Sequence, residues 1–280
     1  MVFKFTIDNF INPYVPKNNL EKSLPVPVRR FFGKHKTSPK DDYWVWLEIL
    51  VASFAGIALL EGVFKSHTAF TSHHAPMIIA SYGATAILCF NTIGAPLAQP
   101  RNILMGHFIS SLIGICVQKL FSLSEGGRNN YWASGALSVG ISSSVMSICN
   151  CVHPPAGASA LLPSIDEGIQ EMSWWYLPMQ LVSSILIICV AMITGNIIRS
   201  YPAYWWTAAP LGKPETIVEP EKEPETSIDE EARISFEGVT KMNGMDSVEI
   251  SKTAILVPSQ LDLTELEVEW LNSIQSKLKQ

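Results

Sequence analysis

Most of the chemistry this sequence could perform can be argued from His153. It is followed by Pro154 and Pro155 and stands between two apolar stretches, in a run that reads CNCVHPPAGASALLP from Cys149 to Pro163. Two consecutive prolines cannot continue a helix arriving from upstream, yet proline suits the first turn of the next helix. The pattern therefore predicts an unwound link and then a short helix over Pro154–Pro163, with the amides around Ala156–Ala158 pointing back at the link. Non-helical backbone at membrane depth must be buried in protein or line a wet cavity. Helix N-termini suit anions, because unpaired N–H groups and the helix dipole meet there. His153 adds a side chain that titrates near neutral pH, and an intramembrane ionisable group is a functional candidate by default. The alternative is a neutral imidazole bonded to carbonyls freed by the prolines. Gly157 and Ser159 follow in the short helix. Gly157 lacks a Cβ and would let a substrate or a neighbouring helix approach closely.

Four further polar residues stand in or beside apolar segments. His74 precedes Ala75-Pro76 and is a weaker copy of His153; with His67 and His73 nearby it also reads as interfacial. Arg101 follows Pro100 at the start of an apolar segment. A cation is misplaced there for the helix dipole, which calls for an anion or a carboxylate partner, or else for a charge that sets topology. His107 lies two turns deeper and suits either a pathway or helix–helix bonding. Glu48 sits in the first apolar segment as a candidate proton relay. The five cysteines lie in or beside apolar stretches without Cys-x-x-Cys spacing, so they read as small buried hydrophobes and not as a disulfide or zinc framework.

The elements that must position these residues follow from charge and hydropathy. Of the charged residues, 12 precede Trp44 and 22 follow Ser200, which leaves 11 between. A soluble surface that size needs more charge, so the middle of the chain faces lipid. Five apolar segments are read at Trp44–Phe64, Pro76–Phe90, Ile103–Leu120, Trp132–Cys149 and Tyr176–Ile198. A core of about 30 Å needs about 20 helical residues; all but the second reach or approach that length. Trp and Tyr flank the segments as interfacial anchors do. Small residues recur every fourth position in the fourth segment (Ala136, Gly140, Ser144 and Ser134, Ser138, Ser142), the spacing of close helix contact, which predicts a central helix. Arg29, Arg30, Lys34, Lys36 and Lys40 place the N-terminus on the cytoplasmic-type side. The Lys/Arg-free loop Ser164–Trp174 falls on the opposite side if the short broken helix also crosses, giving six passes.

The expected fold is thus all-α: a polytopic transmembrane bundle of five clear segments plus the short broken one. Gly83-Ala84-Thr85-Ala86-Ile87-Leu88 echoes Gly157-Ala158-Ser159-Ala160-Leu161-Leu162, a pattern that matches the inverted repeats of secondary transporters. Four regions are expected: a basic tail over 1–43, the membrane domain over 44–206, a disordered acidic tail over 207–262 and an amphipathic helix over 263–280. Glu215–Glu231 carries eight acids and one Lys, too polar to bury a core. Leu263, Leu266, Trp270, Ile274 and Leu278 recur at helical spacing after the capping pattern Thr264-x-x-Glu267; this helix is expected to dock on the membrane domain or the bilayer.

The sequence resembles the HPP family of integral membrane proteins. The resemblance rests on His153-Pro154-Pro155-Ala156-Gly157-Ala158, on Ala95-Pro96-Leu97-Ala98-Gln99-Pro100-Arg101-Asn102 with Gly106-His107, on Ser81-x-Gly83-Ala84, and on Tyr201-Pro202-x-Tyr204-Trp205-Trp206. It implies a transporter domain described with fewer spanning helices than the sequence contains. Plastid-lineage members are associated with nitrite, and some relatives carry paired CBS domains for which this tail is too short and too acidic. The expected function is a permease for a small solute, an anion by this resemblance, with His153, Pro154, Pro155, Gly157, Ser159, His74, Arg101 and His107 as substrate-binding candidates. The alternative is a membrane scaffold without transport. No paired acids, nucleophile–base pair or metal spacing is present, so no enzyme, cofactor or metal is expected. The expected partners are membrane lipid and a small-molecule or ion substrate, with no nucleic acid and a homo-oligomer left open; which membrane houses the chain is not encoded.

Overall fold

A computed structural model describes residues 5–15, 25–35, 37, 40–66, 69–209, 211, 235–236, 239–242, 247–251, 254–258, 261 and 265–279. The chain forms two compact units, Met1–Glu215 and Thr216–Gln280.

The first unit is helical: α1 (Asp8–Ile11), α2 (Val26–Phe31), α3 (Asp42–Lys65), α4 (Ser81–Asn91), α5 (Pro100–Ser122), α6 (Glu125–Arg128), α7 (Tyr131–Ile148), α8 (Ala156–Ile165), α9 (Glu167–Met172) and α10 (Tyr176–Thr194). Among the described residues, three helical stretches are long and apolar enough to cross a membrane: Asp42–Lys65, Pro100–Ser122 and Glu167–Thr194. At 1.5 Å per residue α3 is about 36 Å long and exceeds the hydrocarbon core. α4 and α8, with 11 and 10 residues, reach about 16 Å and 15 Å, half of that thickness. α4 begins five residues later than hydropathy predicts, because the stretch from Pro76 to Ala80 is non-helical.

α5 is the central helix, packed on α7, α8 and α10, while α3 packs on α10 and α4. The sequence pointed instead to α7. The decisive stripe is Gly106, Ser110 and Gly114 on α5. A Cβ at Gly106 would lie 2.7 Å from the His153 Cβ, and one at Gly114 would lie 2.5 Å from the Ala160 carbonyl oxygen. Helices in lipid gain little from burying apolar surface, so close backbone packing and polar contacts decide which helix is central. Of the two small-residue stripes on α7, Ser134, Ser138 and Ser142 are buried, while Ala136, Gly140 and Ser144 are exposed.

Side-chain bonds tie the helix ends together. Arg199, after α10, reaches Glu48 of α3 at 2.9 Å and the carbonyls of Phe90 and Asn91 at the end of α4. Tyr201 donates to the Ala98 carbonyl just before α5, and Arg101 at the start of α5 donates to the Cys149 carbonyl just after α7. At the opposite end Phe70 lies edge-on to Phe64 of α3 and to Trp175 before α10, and Ser134 of α7 bonds Ser164 of α8. α3, α4, α5, α7, α8 and α10 therefore run alternately in opposite directions. Glu48, a candidate proton relay from sequence, is the ion-pair partner of Arg199.

The second unit corrects part of the expectation of a disordered stretch over 207–262. Four short strands, β1 (Ser235–Phe236), β2 (Val239–Met242), β3 (Glu249–Ile250) and β4 (Ile255–Pro258), form a sheet in the order β1-β2-β4-β3, with β2 and β4 parallel and the other pairs antiparallel. Ile255 and Val257 point to one face, as period-two alternation requires. Leu271 and Val268 of α11 (Glu265–Lys279) cover that face. The terminal helix thus packs on this sheet, where docking on the membrane domain or the bilayer had been expected. Thr264 of the capping pattern and the acid-rich run 215–231 lie outside the described residues, as do His67 and Lys36.

Candidate functional site

His153 is held by its own link. α7 ends at Ile148, Asn150 takes a left-handed φ of 48°, and the prolines turn the chain into α8. The His153 Nδ1 lies 2.9 Å from the Leu97 carbonyl oxygen, in the segment just before α5. A carbonyl only accepts, so Nδ1 carries the proton and a neutral His153 presents Nε2 as an acceptor. That Nε2 lies 3.1 Å from the Thr85 hydroxyl of α4. The same hydroxyl lies 2.8 Å from His107 Nε2 on α5 and 3.1 Å from the Ser81 carbonyl. On the far side of the ring, His107 Nδ1 meets the Ser159 hydroxyl of α8 at 2.8 Å, and Ser159 donates to the Ser81 hydroxyl at 3.0 Å.

This network is short of one proton. Ser159 gives its only proton to Ser81, so its oxygen accepts from His107 Nδ1. Both Nε2 atoms are then acceptors facing Thr85, which has one proton for the two of them and for the Ser81 carbonyl. Adding a proton to either imidazole repairs the deficit: the charged ring donates to the Thr85 oxygen, and Thr85 donates to the other ring. His107, His153, Thr85 and Ser159 are all fully buried. The histidine rings lie 4.9 Å apart, and Tyr82 stacks on His107 at 4.5 Å. Tyr82 in turn donates to the Gln180 carbonyl, and Tyr176 donates to the Ser159 carbonyl, so α10 closes the network. Among the described residues, no carboxylate, Lys or Arg is bonded to either imidazole.

The structure brings His153, His107 and Ser159 together and leaves other candidates outside. His74 is exposed, at a left-handed φ of 59°, and takes no part. Pro154 is exposed and Pro155 half-buried at the turn. The amides expected to receive an anion are already engaged: Ala156, Gly157 and Ala158 donate to the carbonyls of His153, Pro154 and Pro155 at 2.9, 3.0 and 3.2 Å. The double proline produces this, because it closes tight turns from the link into the helix. Gly157 is not a close-approach site, since a Cβ there would meet nothing within 4 Å; Gly106 on α5 fills that role.

Arg101 has the carboxylate alternative. Its guanidinium grips Asp8 of α1 through two bonds, at 2.6 and 2.9 Å, and both residues are buried. It also donates to the Trp206 carbonyl and lies 3.8 Å over the Trp206 ring. Asn150 bonds the same Asp8 carboxylate at 2.7 Å. Gln99, in the segment just before α5, is wholly buried; its amide donates to the Ile93 and Ala95 carbonyls and its oxygen accepts from the Ala203 and Tyr204 amides. Thr85 and Asp8 are the residues that sequence reasoning missed. Thr85 left a trace in the Gly83–Leu88 echo, where it matches Ser159, while Asp8 left none.

The description "HPP, transmembrane region" matches residues 38–202. Two proteins of Dictyostelium discoideum, both named as transmembrane proteins, are similar to the chain. One is 32% identical over 181 residues, covering 62% of this chain and 60% of its own length. The other is 27% identical over 201 residues, covering 68% and 62%. The chain thus spans less than two thirds of either relative. No solved structure matches. With three long apolar helices, these matches make the protein an integral membrane protein.

Proposed function

We propose a transport function from the premise that the chain belongs to the HPP transmembrane family: it is a permease that moves a small anion, nitrite-like by the family resemblance, together with a proton. One observation carries this reading. Two buried histidines from separate segments, His107 and His153, compete for the single hydroxyl proton of Thr85. A lone charge is costly in a buried, water-poor site. A proton arriving with an anion forms a neutral pair there, and the imidazolium with the Thr85, Ser159 and Ser81 hydroxyls supplies the donors an anion needs. The full burial of these groups fits a closed state between two open ones.

The helix directions support six passes with both ends of the membrane domain on one side, α4 and α8 serving as short members. They also support the repeat: Thr85 and Ser159, at equivalent positions of the echo, clasp opposite nitrogens of one imidazole. Labelling of single cysteines in a cysteine-free background tests the passes, and labelling of positions 35 and 168 from the same side overturns them.

The transport test is anion uptake into proteoliposomes containing the full chain, with nitrite, nitrate, formate and chloride as the panel. The expected result is uptake of a small oxyanion, driven by an inward proton gradient and collapsed by a protonophore. Flux that ignores the gradient refutes the coupling, and no flux for any anion refutes the permease.

A further inference from the structure

A second feature lies away from the histidine network, where α3, α2 and the end of α10 meet. Two cavities there share Lys40, Ile197 and Ile198 and differ in chemistry. One, of about 560 Å³, is an apolar groove along α3, lined by Trp44, Leu47 and Val51 with Thr194 opposite. The other, of about 410 Å³, is polar and lined by Arg29, Arg30, His35 and Thr37.

Each half lacks something. In the groove Leu47, Val51 and Ile197 are 48%, 51% and 62% exposed, and residues 44, 47 and 51 share one face of a helix long enough to span a bilayer. In the polar half, charge is uncompensated. Among the described residues neither Arg29 nor Lys40 has a side-chain partner. Arg30 bonds only the Asn196 and Ile197 carbonyls, both at 3.0 Å. Both ring nitrogens of His35 are buried without a hydrogen-bond partner, an uncommon state for a polar group. Glu48, the carboxylate on the groove wall, is already paired with Arg199.

We propose that this composite cavity is a binding site for one anionic phospholipid. Its phosphate accepts from Arg29 and Lys40, and an acyl chain lies along Leu47 and Val51. Basic residues at the cytoplasmic-type end of a spanning helix face the leaflet that carries anionic lipid, and basic pockets in that position hold anionic headgroups. A soluble anion would satisfy the polar half and leave the groove bare, while a zwitterionic lipid would fill the groove but bring its own headgroup cation beside the basic residues that its phosphate meets. The site does not depend on the transport reading, only on membrane residence.

The test is native mass spectrometry and thermal melting of the delipidated full chain in detergent, with phosphatidylglycerol, phosphatidylcholine or inorganic phosphate added. The expected result is a retained one-to-one phosphatidylglycerol adduct and a raised melting temperature, neither of them reproduced by phosphatidylcholine or phosphate. The double variant Arg29→Gln, Lys40→Gln should weaken the adduct about thirtyfold, from the attraction of two basic residues for anionic lipid. Val51→Trp should weaken it by obstructing the groove with the basic residues intact; lipid-free melting of both variants reports their folding. Equal binding of phosphatidylcholine overturns the proposal. So does a phosphate shift equal to the lipid's, or an adduct unchanged in both folded variants.

Discussion

α4 and α8 are each about half the length of a bilayer crossing, and each follows a histidine. His74 stands ahead of Ser81, and His153 ahead of Ala156. Inside the two helices the use is the same, since Thr85 and Ser159 both bond His107. At their entries it is opposite. His153 is fully buried and bonded at both nitrogens, while His74 is exposed at the end of a short turn. Spacing explains the difference. His153 is six residues before Ser159, and a tight proline turn folds it back beside α5. His74 is eleven residues before Thr85, and the non-helical stretch between them carries it away. Here the tight turn places His153 in the network, and the longer link keeps His74 out of it.

The largest contrast should come from the two histidines themselves. His153→Ala should abolish proton-driven flux and His74→Ala should leave it intact, measured in liposomes between about pH 5 and about pH 8; equal losses would erase the distinction. His153→Gln should keep some flux with a flattened pH dependence, and an unchanged profile would remove the proton role. Next, Thr85→Val leaves both Nε2 atoms facing a methyl group. It should lower stability by about 1–3 kcal/mol, the cost of stranding buried polar atoms, and Thr85→Ser should recover both melting temperature and flux.

The glycines sharpen the same comparison. Gly106→Ala pushes against His153 and should cost about 1–3 kcal/mol, as overpacking does. Gly157→Ala enters open space inside a helix and should be neutral or stabilising by about 0.5–1 kcal/mol. The reverse order in detergent melting would put the close contact at the wrong glycine. The smallest effect belongs to His74→Gly, within about 1 kcal/mol of the parent: relief of left-handed backbone is offset by the greater freedom of glycine in the unfolded chain.

Much of the bundle was legible because lipid imposes long apolar runs with aromatic ends. The link at His153 was legible because consecutive prolines leave few choices. What the sequence hid is tertiary. Thr85 bonds residues 22 and 68 positions away, and no local pattern marks a threonine in an apolar helix as shared by two histidines. Arg101 advertised its need for an anion, but the partner, Asp8, lies 93 residues upstream in a tail read as merely basic. Glycine spacing could have exposed the central helix, since Gly106, Ser110 and Gly114 stand at fourfold intervals on α5. The richer serine run of α7 drew attention instead. β4 was missed because its alternation covers four residues, too few to outweigh the acidic composition upstream.

The Asp8–Arg101 pair also joins segments that are made far apart in time during synthesis. Asp8 emerges from the ribosome long before Arg101, and the Trp206 ring that covers the guanidinium is made 105 residues later still. Until all three are present, that cation needs water. Asp8 can meet its cation only once α5 has begun to emerge, and the Trp206 carbonyl and ring can join them only after α10 has been made. A chain shortened past Asp8 should keep its apolar helices and lose the two carboxylate bonds of the buried Arg101, read as a lower melting temperature in detergent.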